Sequence, residues 1–294
     1  MRLLIGTDDG LFELTEATPN RLRTGTVSHL AVGWAIVDGR IERISGGDRS
    51  AGLELPDGLE PRCLMPVGED LLIGTSRARL YRSRDGGEPE PVDGFDAAEG
   101  RDRWNTPWGG PPDTRSLARD ADGTLYANVH VGGVLRSTDG EAWQPTMEIE
   151  ADVHEVTAHP TLAGCVLVAA AWGLGLSFDG AGSWSFSSSG LHNAYARAVA
   201  VAGEVVLMSA SDGPRGGRAA LYRRPLRDDA PFERCTAGLP EWFTGNIDTG
   251  CLVVSGSAAA FGTADGEVYR STDGGLTWSR AATGLPPIRA LAAA

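Results

Sequence analysis

Short apolar runs of four to seven residues recur along the whole chain, separated by turns rich in Gly, Asp and Ser. Leu3-Leu-Ile-Gly-Thr7, Leu71-Leu-Ile-Gly-Thr75, Val166-Leu-Val-Ala-Ala170 and Val205-Val-Leu-Met-Ser209 are representative. Their length and β-branched content predict buried strands, and no stretch holds the 3.6-residue period of a long amphipathic helix. The runs come in groups. An inner strand such as Val153-His-Glu-Val-Thr-Ala158 is followed by Val166–Ala170, then by Gly173-Leu-Gly-Leu-Ser177, and a Trp opens a fourth strand.

The groups are copies of one unit. Leu80-Tyr-Arg-Ser-Arg-Asp-Gly-Gly87, Leu135-Arg-Ser-Thr-Asp-Gly-Glu-Ala-Trp143, Leu176-Ser-Phe-Asp-Gly-Ala-Gly-Ser-Trp184 and Val268-Tyr-Arg-Ser-Thr-Asp-Gly-Gly-Leu-Thr-Trp278 share a Ser-x-Asp-Gly core. Three of the four carry the Trp. The chemistry is that of a hairpin turn: the carboxylate accepts N–H groups of its own turn, and Gly supplies positive φ. The indole then covers the turn and packs on the next sheet. The four cores begin 54, 40 and 94 residues apart, the last interval spanning about two units, and such repetition marks a repeat architecture.

Ser271-Thr-Asp-Gly-Gly-Leu-Thr-Trp278 resembles the Asp-box, or BNR, motif Ser-x-Asp-x-Gly-x-x-Trp of β-propellers related to sialidases, other glycosidases, sorting receptors and photosystem II assembly factors. The Ser137 copy is one residue short, Ala181 replaces Gly in the third, and the Ser83 copy lacks the Trp. Inner strands are predicted to begin near Val27, Pro61, Thr114, Val153, Ala196 and Gly250, and Pro287–Ala293 supplies a seventh. Leu3–Thr7 and Gly10–Leu14 then read as second and third strands of a blade whose first strand is the chain's last. The expectation is an all-β, seven-bladed β-propeller of four-stranded antiparallel blades, a single domain over residues 1–294 with its N- and C-terminal strands closing one blade. At about 42 residues per blade the length fits, and closure leaves no open sheet edge.

Charge narrows the partners. Twenty-six basic against 39 acidic residues give a net charge of −13, which argues against nucleic acid and anionic lipid surfaces. No apolar run approaches the roughly 20 residues of a membrane helix. The first residues enter a strand pattern without an apolar leader, so a cytoplasmic location is expected. Cys63, Cys165, Cys235 and Cys251 lie in apolar strand contexts without CxxC spacing and read as buried thiols.

The resemblance to sialidases implies that ligands sit on the face where inner strands begin, with the Ser-x-Asp turns structural and on the opposite rim. Aligning the inner strands places Arg62, Arg115, His154, Arg197 and Arg289 at one position, a ring of basic groups suited to a carboxylate, sulfate or phosphate. The competing reading pairs each with an acidic residue near its own strand start, such as Asp113 or Asp152. The longest insertion, residues 101–113, offers Trp104 and Trp108 for stacking on a ligand, and Tyr195 joins the same face. His130, His154 and a carboxylate can bind a metal or move protons. They are assigned with Asp248 as candidate catalytic residues, and no metal or cofactor is predicted. His29 and His159 read as strand residues with local hydrogen bonds.

The Phe/Tyr-Arg-Ile-Pro signature of sialidases is absent, so the resemblance stops short of their catalytic residues. Two functions follow: binding of a small anionic, carboxylated or glycosidic ligand, with hydrolase or lyase chemistry attached, or a non-enzymatic scaffold for a protein partner.

Overall fold

A computed structural model of the protein describes residues 1–15, 18–44, 52–106 and 109–293. Seven antiparallel sheets follow one another along the chain, and the fold is a seven-bladed β-propeller. Blade one joins the last strand, Ile288–Ala293, to Leu3–Thr7, Gly10–Leu14 and Asn20–Arg23. The terminal strands pair directly, Leu3 opposite Ala293 and Ile5 opposite Leu291, as the sequence predicts.

Blade two contains Val27–Ala31, Trp34–Val37 and Arg40–Arg43, with a bridge from Ile41 to Leu53 along its outer edge. Blade three runs Pro61–Val67, Asp70–Thr75, Arg79–Ser83 and Glu90–Pro91. Blade four runs Thr114–Arg119, Leu125–Val129, Gly133–Ser137 and Gln144–Pro145. Blade five is Val153–Ala158, Val166–Ala170, Gly173–Ser177 and Ser185–Ser187; blade six is Tyr195–Ala202, Val205–Ser211, Ala220–Pro225 and Glu233–Arg234. Blade seven is Leu252–Ser255, Ala258–Gly262, Val268–Ser271 and Ser279–Ala282. The observed inner strands start within two residues of the predicted positions.

The chain packs as two compact units. One comprises Met1–Leu30, Ala169–Leu174 and Phe186–Ala294, the other Ala31–Val168 and Gly175–Ser185. In the first, the core centres on Phe261, which stacks on Tyr269 at 5.1 Å and meets the Trp278 ring edgewise at 5.0 Å. In the second, Phe95 meets Trp143 edgewise at 5.4 Å and Trp104 at 5.8 Å. Such aromatic pairs each add about 0.5–1.5 kcal/mol beyond the area they bury.

The Ser-x-Asp turns are built as their residue types require. Asp273 Oδ1 accepts the Ser271 hydroxyl at 2.8 Å and the Thr277 N–H at 2.9 Å, and the Trp278 indole donates to Gly275 O at 3.0 Å. Asp179 repeats the pattern with Ser177 and Ser183, and Asp139 with Ser137, Glu141 and Ala142. Hydrogen bonds from Thr277 and Ser271 hold the Asp273 carboxyl down at about 2, and those from Ser183 and Ser177 do the same for Asp179. Where the Trp is absent, the Ser83 hydroxyl bonds Gly87 O at 2.6 Å instead.

One irregularity recurs near the start of the inner strands. Pairing skips Arg62 between Pro61 and Cys63, Arg115 between Thr114 and Ser116, and Arg289 between Ile288 and Ala290. In blade six the skipped residues are Arg197 and Ala198. Each arginine therefore sits on a β-bulge, a device that re-aims a side chain out of the pleat.

Candidate functional site

Arg62, Arg197 and Arg289 turn from their bulges toward carboxylates. In the second unit, Arg62 Nε lies 2.9 Å from Asp113 Oδ2, just before the inner strand of the next blade, and Nη2 lies 2.8 Å from Glu60. In the first unit, Arg197 donates to both oxygens of Asp248, at 2.8 and 2.9 Å, and to the Tyr195 hydroxyl at 3.1 Å. Burial opposes the Arg197 charge, but Asp248 and Tyr195 outweigh it and its pKa is raised. Arg289 forks onto Asp8 at 2.6 Å on both arms; its hydrogen bonds lower the Asp8 pKa. Asp248, a candidate proton-transfer residue from sequence, is thus the acceptor of a bidentate ion pair. Arg115 is half-buried on its bulge.

Between blades four and five the arrangement changes. Asp152, in the left-handed region at φ 48°, stands immediately before the inner strand of blade five, as Asp113 stands before that of blade four. Its neighbours are imidazoles. His130 Nε2 lies 3.2 Å from Oδ1, His154 Nε2 lies 3.6 Å from Oδ2, and the two rings are 6.1 Å apart. His154 is 0% exposed and His130 is buried with it. Burial raises the Asp152 pKa, but the two neighbouring histidines outweigh it and hold the carboxyl well below its ordinary range. The three side chains expected from sequence as two histidines and "a carboxylate" do meet, with Asp152 as the carboxylate.

The aromatic expectations divide. Trp104 is 8% exposed and packs on Phe95, with Arg101 4.9 Å from its ring, so the indole belongs to the core. This corrects its assignment as an exposed ligand platform: the insertion folds back through Trp104 onto the blade. Trp108 lies outside the described residues. His159 makes the local contacts expected, accepting N–H groups of Thr161 and Leu162 at 3.2 and 3.0 Å. All four cysteines are buried thiols.

A further cluster in the first unit escaped sequence reasoning as a cluster. Trp242 is half-buried, with Arg234 4.4 Å and Arg218 5.8 Å from its ring and His192 at 4.9 Å. His192 Nδ1 is 2.7 Å from the Tyr222 hydroxyl, and Arg218 forks onto Asp212. Burial lowers the His192 pKa. The loops that carry it are tied together: Gly217 donates to Thr244 O, Ala219 and Phe243 exchange both backbone bonds, and Asn246 reaches Gly213 O and Pro214 O. The Gly-rich run Ser211-Asp-Gly-Pro-Arg-Gly-Gly-Arg218 was the available signal, because positive φ at Gly216 and Gly217 shapes this loop.

Among the described residues, no helix is long and apolar enough to cross a membrane. No protein-family model matches the chain, and no curated protein matches it. Solved structures do. The computationally designed Ika8 protein aligns with a TM-score of 0.60 and 15% identity over 93% of this chain and 81% of its own. The nidogen/laminin complex gives 0.60 and 10% identity over 99% and 97%. YCF48 bound to D1 peptide gives 0.60 and 15% identity over 88% and 85%. At these identities the likeness is one of fold, and that fold is the β-propeller.

Proposed function

We propose that this propeller is a non-enzymatic scaffold that holds a segment of a partner protein on the loops around Trp242. The observation that carries the reading is a preorganised cluster of Trp242, Arg218, Arg234 and His192 on loops cross-tied by backbone bonds. Arg218 is 62% exposed at its side chain, and Trp242 and Tyr195 are half-buried on the same unit. Trp, Tyr and Arg dominate the binding energy of protein interfaces, and rigid loops lower the ordering cost of association. Two structures of the same fold, YCF48 with D1 peptide and nidogen with laminin, hold a peptide or a protein partner. That supports the fold class as a platform for such binding.

The small-anion reading draws less support. Arg62, Arg197 and Arg289 are each closed on an aspartate of the same chain, so an incoming carboxylate or phosphate has to displace an intramolecular partner. The two readings separate cleanly. Crosslinking mass spectrometry on the tagged full chain in its native cells is expected to map a partner to residues 211–219 and 236–246. Trp242→Ala and Arg218→Ala are expected to remove those crosslinks while cooperative unfolding of the propeller is kept. Calorimetric binding of glucuronate, sulfate or phosphate that disappears in Arg197→Ala overturns the scaffold reading in favour of the anionic ligand.

A further inference from the structure

Asp113 and Asp248 precede inner strands and are held by the bulged arginine of the preceding blade, Arg62 or Arg197. Asp152 holds the equivalent place before blade five, and there two imidazoles, His130 and His154, lie within 4 Å of the carboxylate. Two imidazoles beside the carboxylate bring a chemistry that the arginine pairs lack. A guanidinium is a permanent cation with donors only, whereas a neutral imidazole offers a lone pair. A carboxylate between two imidazole nitrogens is a ligand set for a borderline-soft metal.

We propose that His130, Asp152 and His154 bind a divalent transition cation of the zinc class, with His130 Nε2, His154 Nε2 and the Asp152 carboxylate as its protein ligands. The geometry is close to that required. Tetrahedral zinc with bonds of about 2.1 Å sets its ligand atoms about 3.4 Å apart. The two histidine-to-aspartate distances are 3.2 and 3.6 Å, and the three ligand atoms lie within 4.8 Å of one another. The two distances run to different oxygens of the carboxylate, so the ligand atoms draw together when the cation binds.

The setting is built for the task. His154 is buried in the inner strand of blade five, and His130 is buried in the turn after Leu125–Val129, where its N–H donates to Asp113 O at 3.0 Å. Asn128 occupies the second-strand position that is Gly74 in blade three and Gly6 in blade one. It is fully buried, and its amide donates to Val153 O at 2.9 Å, bracing the backbone between Asp152 and His154. Its Oδ1 accepts no hydrogen bond. A buried carbonyl left without a donor is costly. The Asp152 side chain is 23% exposed, so solvent reaches the cluster from that side and a fourth position is left for water.

The test uses the full chain, stripped with a chelator and titrated with zinc alone against a chromophoric competitor. One equivalent is expected to bind and to raise the melting temperature. Cobalt in place of zinc is expected to give the strong visible bands of a four-coordinate site, a readout that needs no variant. Asp152→Asn retains a side chain tolerant of positive φ, and with His130→Gln it is expected to weaken zinc binding by about 100-fold or more. His159→Gln is expected to bind zinc as the unmodified protein does. Absence of stoichiometric binding, or equal affinity in Asp152→Asn, overturns the assignment and leaves a carboxylate hydrogen-bonded between two histidines. Because this site shares no residue with the Trp242 loops, its failure leaves the scaffold reading untouched, and the converse holds.

Discussion

Arg197 delivers both arms of its guanidinium to Asp248, Nε to Oδ1 at 2.8 Å and Nη2 to Oδ2 at 2.9 Å, from the bulge of blade six to the loop that starts blade seven. Arg197 is mostly buried and Asp248 about half exposed, so solvent screens part of the attraction. A double-mutant cycle of Arg197→Ala and Asp248→Ala in urea unfolding is expected to return a coupling of about 1 kcal/mol. The single Asp248→Ala is expected to cost more than the double variant implies, because it strands a buried cation. A coupling of zero would show that the pair holds nothing together.

Gly74 sits across from the Arg62 bulge, where a Cβ would lie 2.4 Å from Cys63 Sγ and 3.0 Å from Thr114 O of the next blade. Backbone cannot yield as a flexible side chain does. Gly74→Ala is therefore expected to lower the unfolding free energy by about 1–3 kcal/mol. Equal urea midpoints for the two proteins would mean that the blades separate there at little cost.

Hydrogen bonds from Thr277 and Ser271 bring Asp273 from its ordinary 3.8 to about 2. A depressed carboxyl pKa stabilises the fold above the unfolded value and is lost as pH falls through the folded one. Its contribution should be full above about pH 4 and gone below about pH 2. The melting temperature of the unmodified protein is expected to exceed that of Asp273→Asn at pH 6, with the gap closing between pH 4 and pH 2. A gap independent of pH would exclude the carboxylate as its source.

Burial pushes the Cys63 thiol up to about 12, so almost no thiolate exists at neutral pH. Iodoacetamide at pH 8 is expected to leave Cys63 unmodified in the folded protein and to label it in urea, read by peptide mass. Rapid native labelling would place the thiol outside the core.

The repeat was legible because each blade must satisfy the same local chemistry. The Ser-x-Asp turns, the apolar second strands and the missing first strand of blade one are all local patterns, and all correspond to observed elements. The position shared by Arg62, Arg115, Arg197 and Arg289 was visible as well, and it is the bulge. What alignment could not supply was direction. A bulge turns its side chain out of the pleat, so Arg62 and Arg197 reach aspartates 51 positions further along the chain. Trp104 misled for a related reason: a Pro- and Gly-rich insertion looks solvent-facing by composition, yet its indole folds back onto Phe95.

Local propensity and periodicity thus sufficed for seven blades, because strand, turn and bulge are each set by residues a few positions apart. Which carboxylate answers which base depends on the approach of neighbouring blades. Asp152 meets His130 from the neighbouring blade, and Asp248 meets Arg197, because the folded backbone brings together side chains 22 and 51 positions apart.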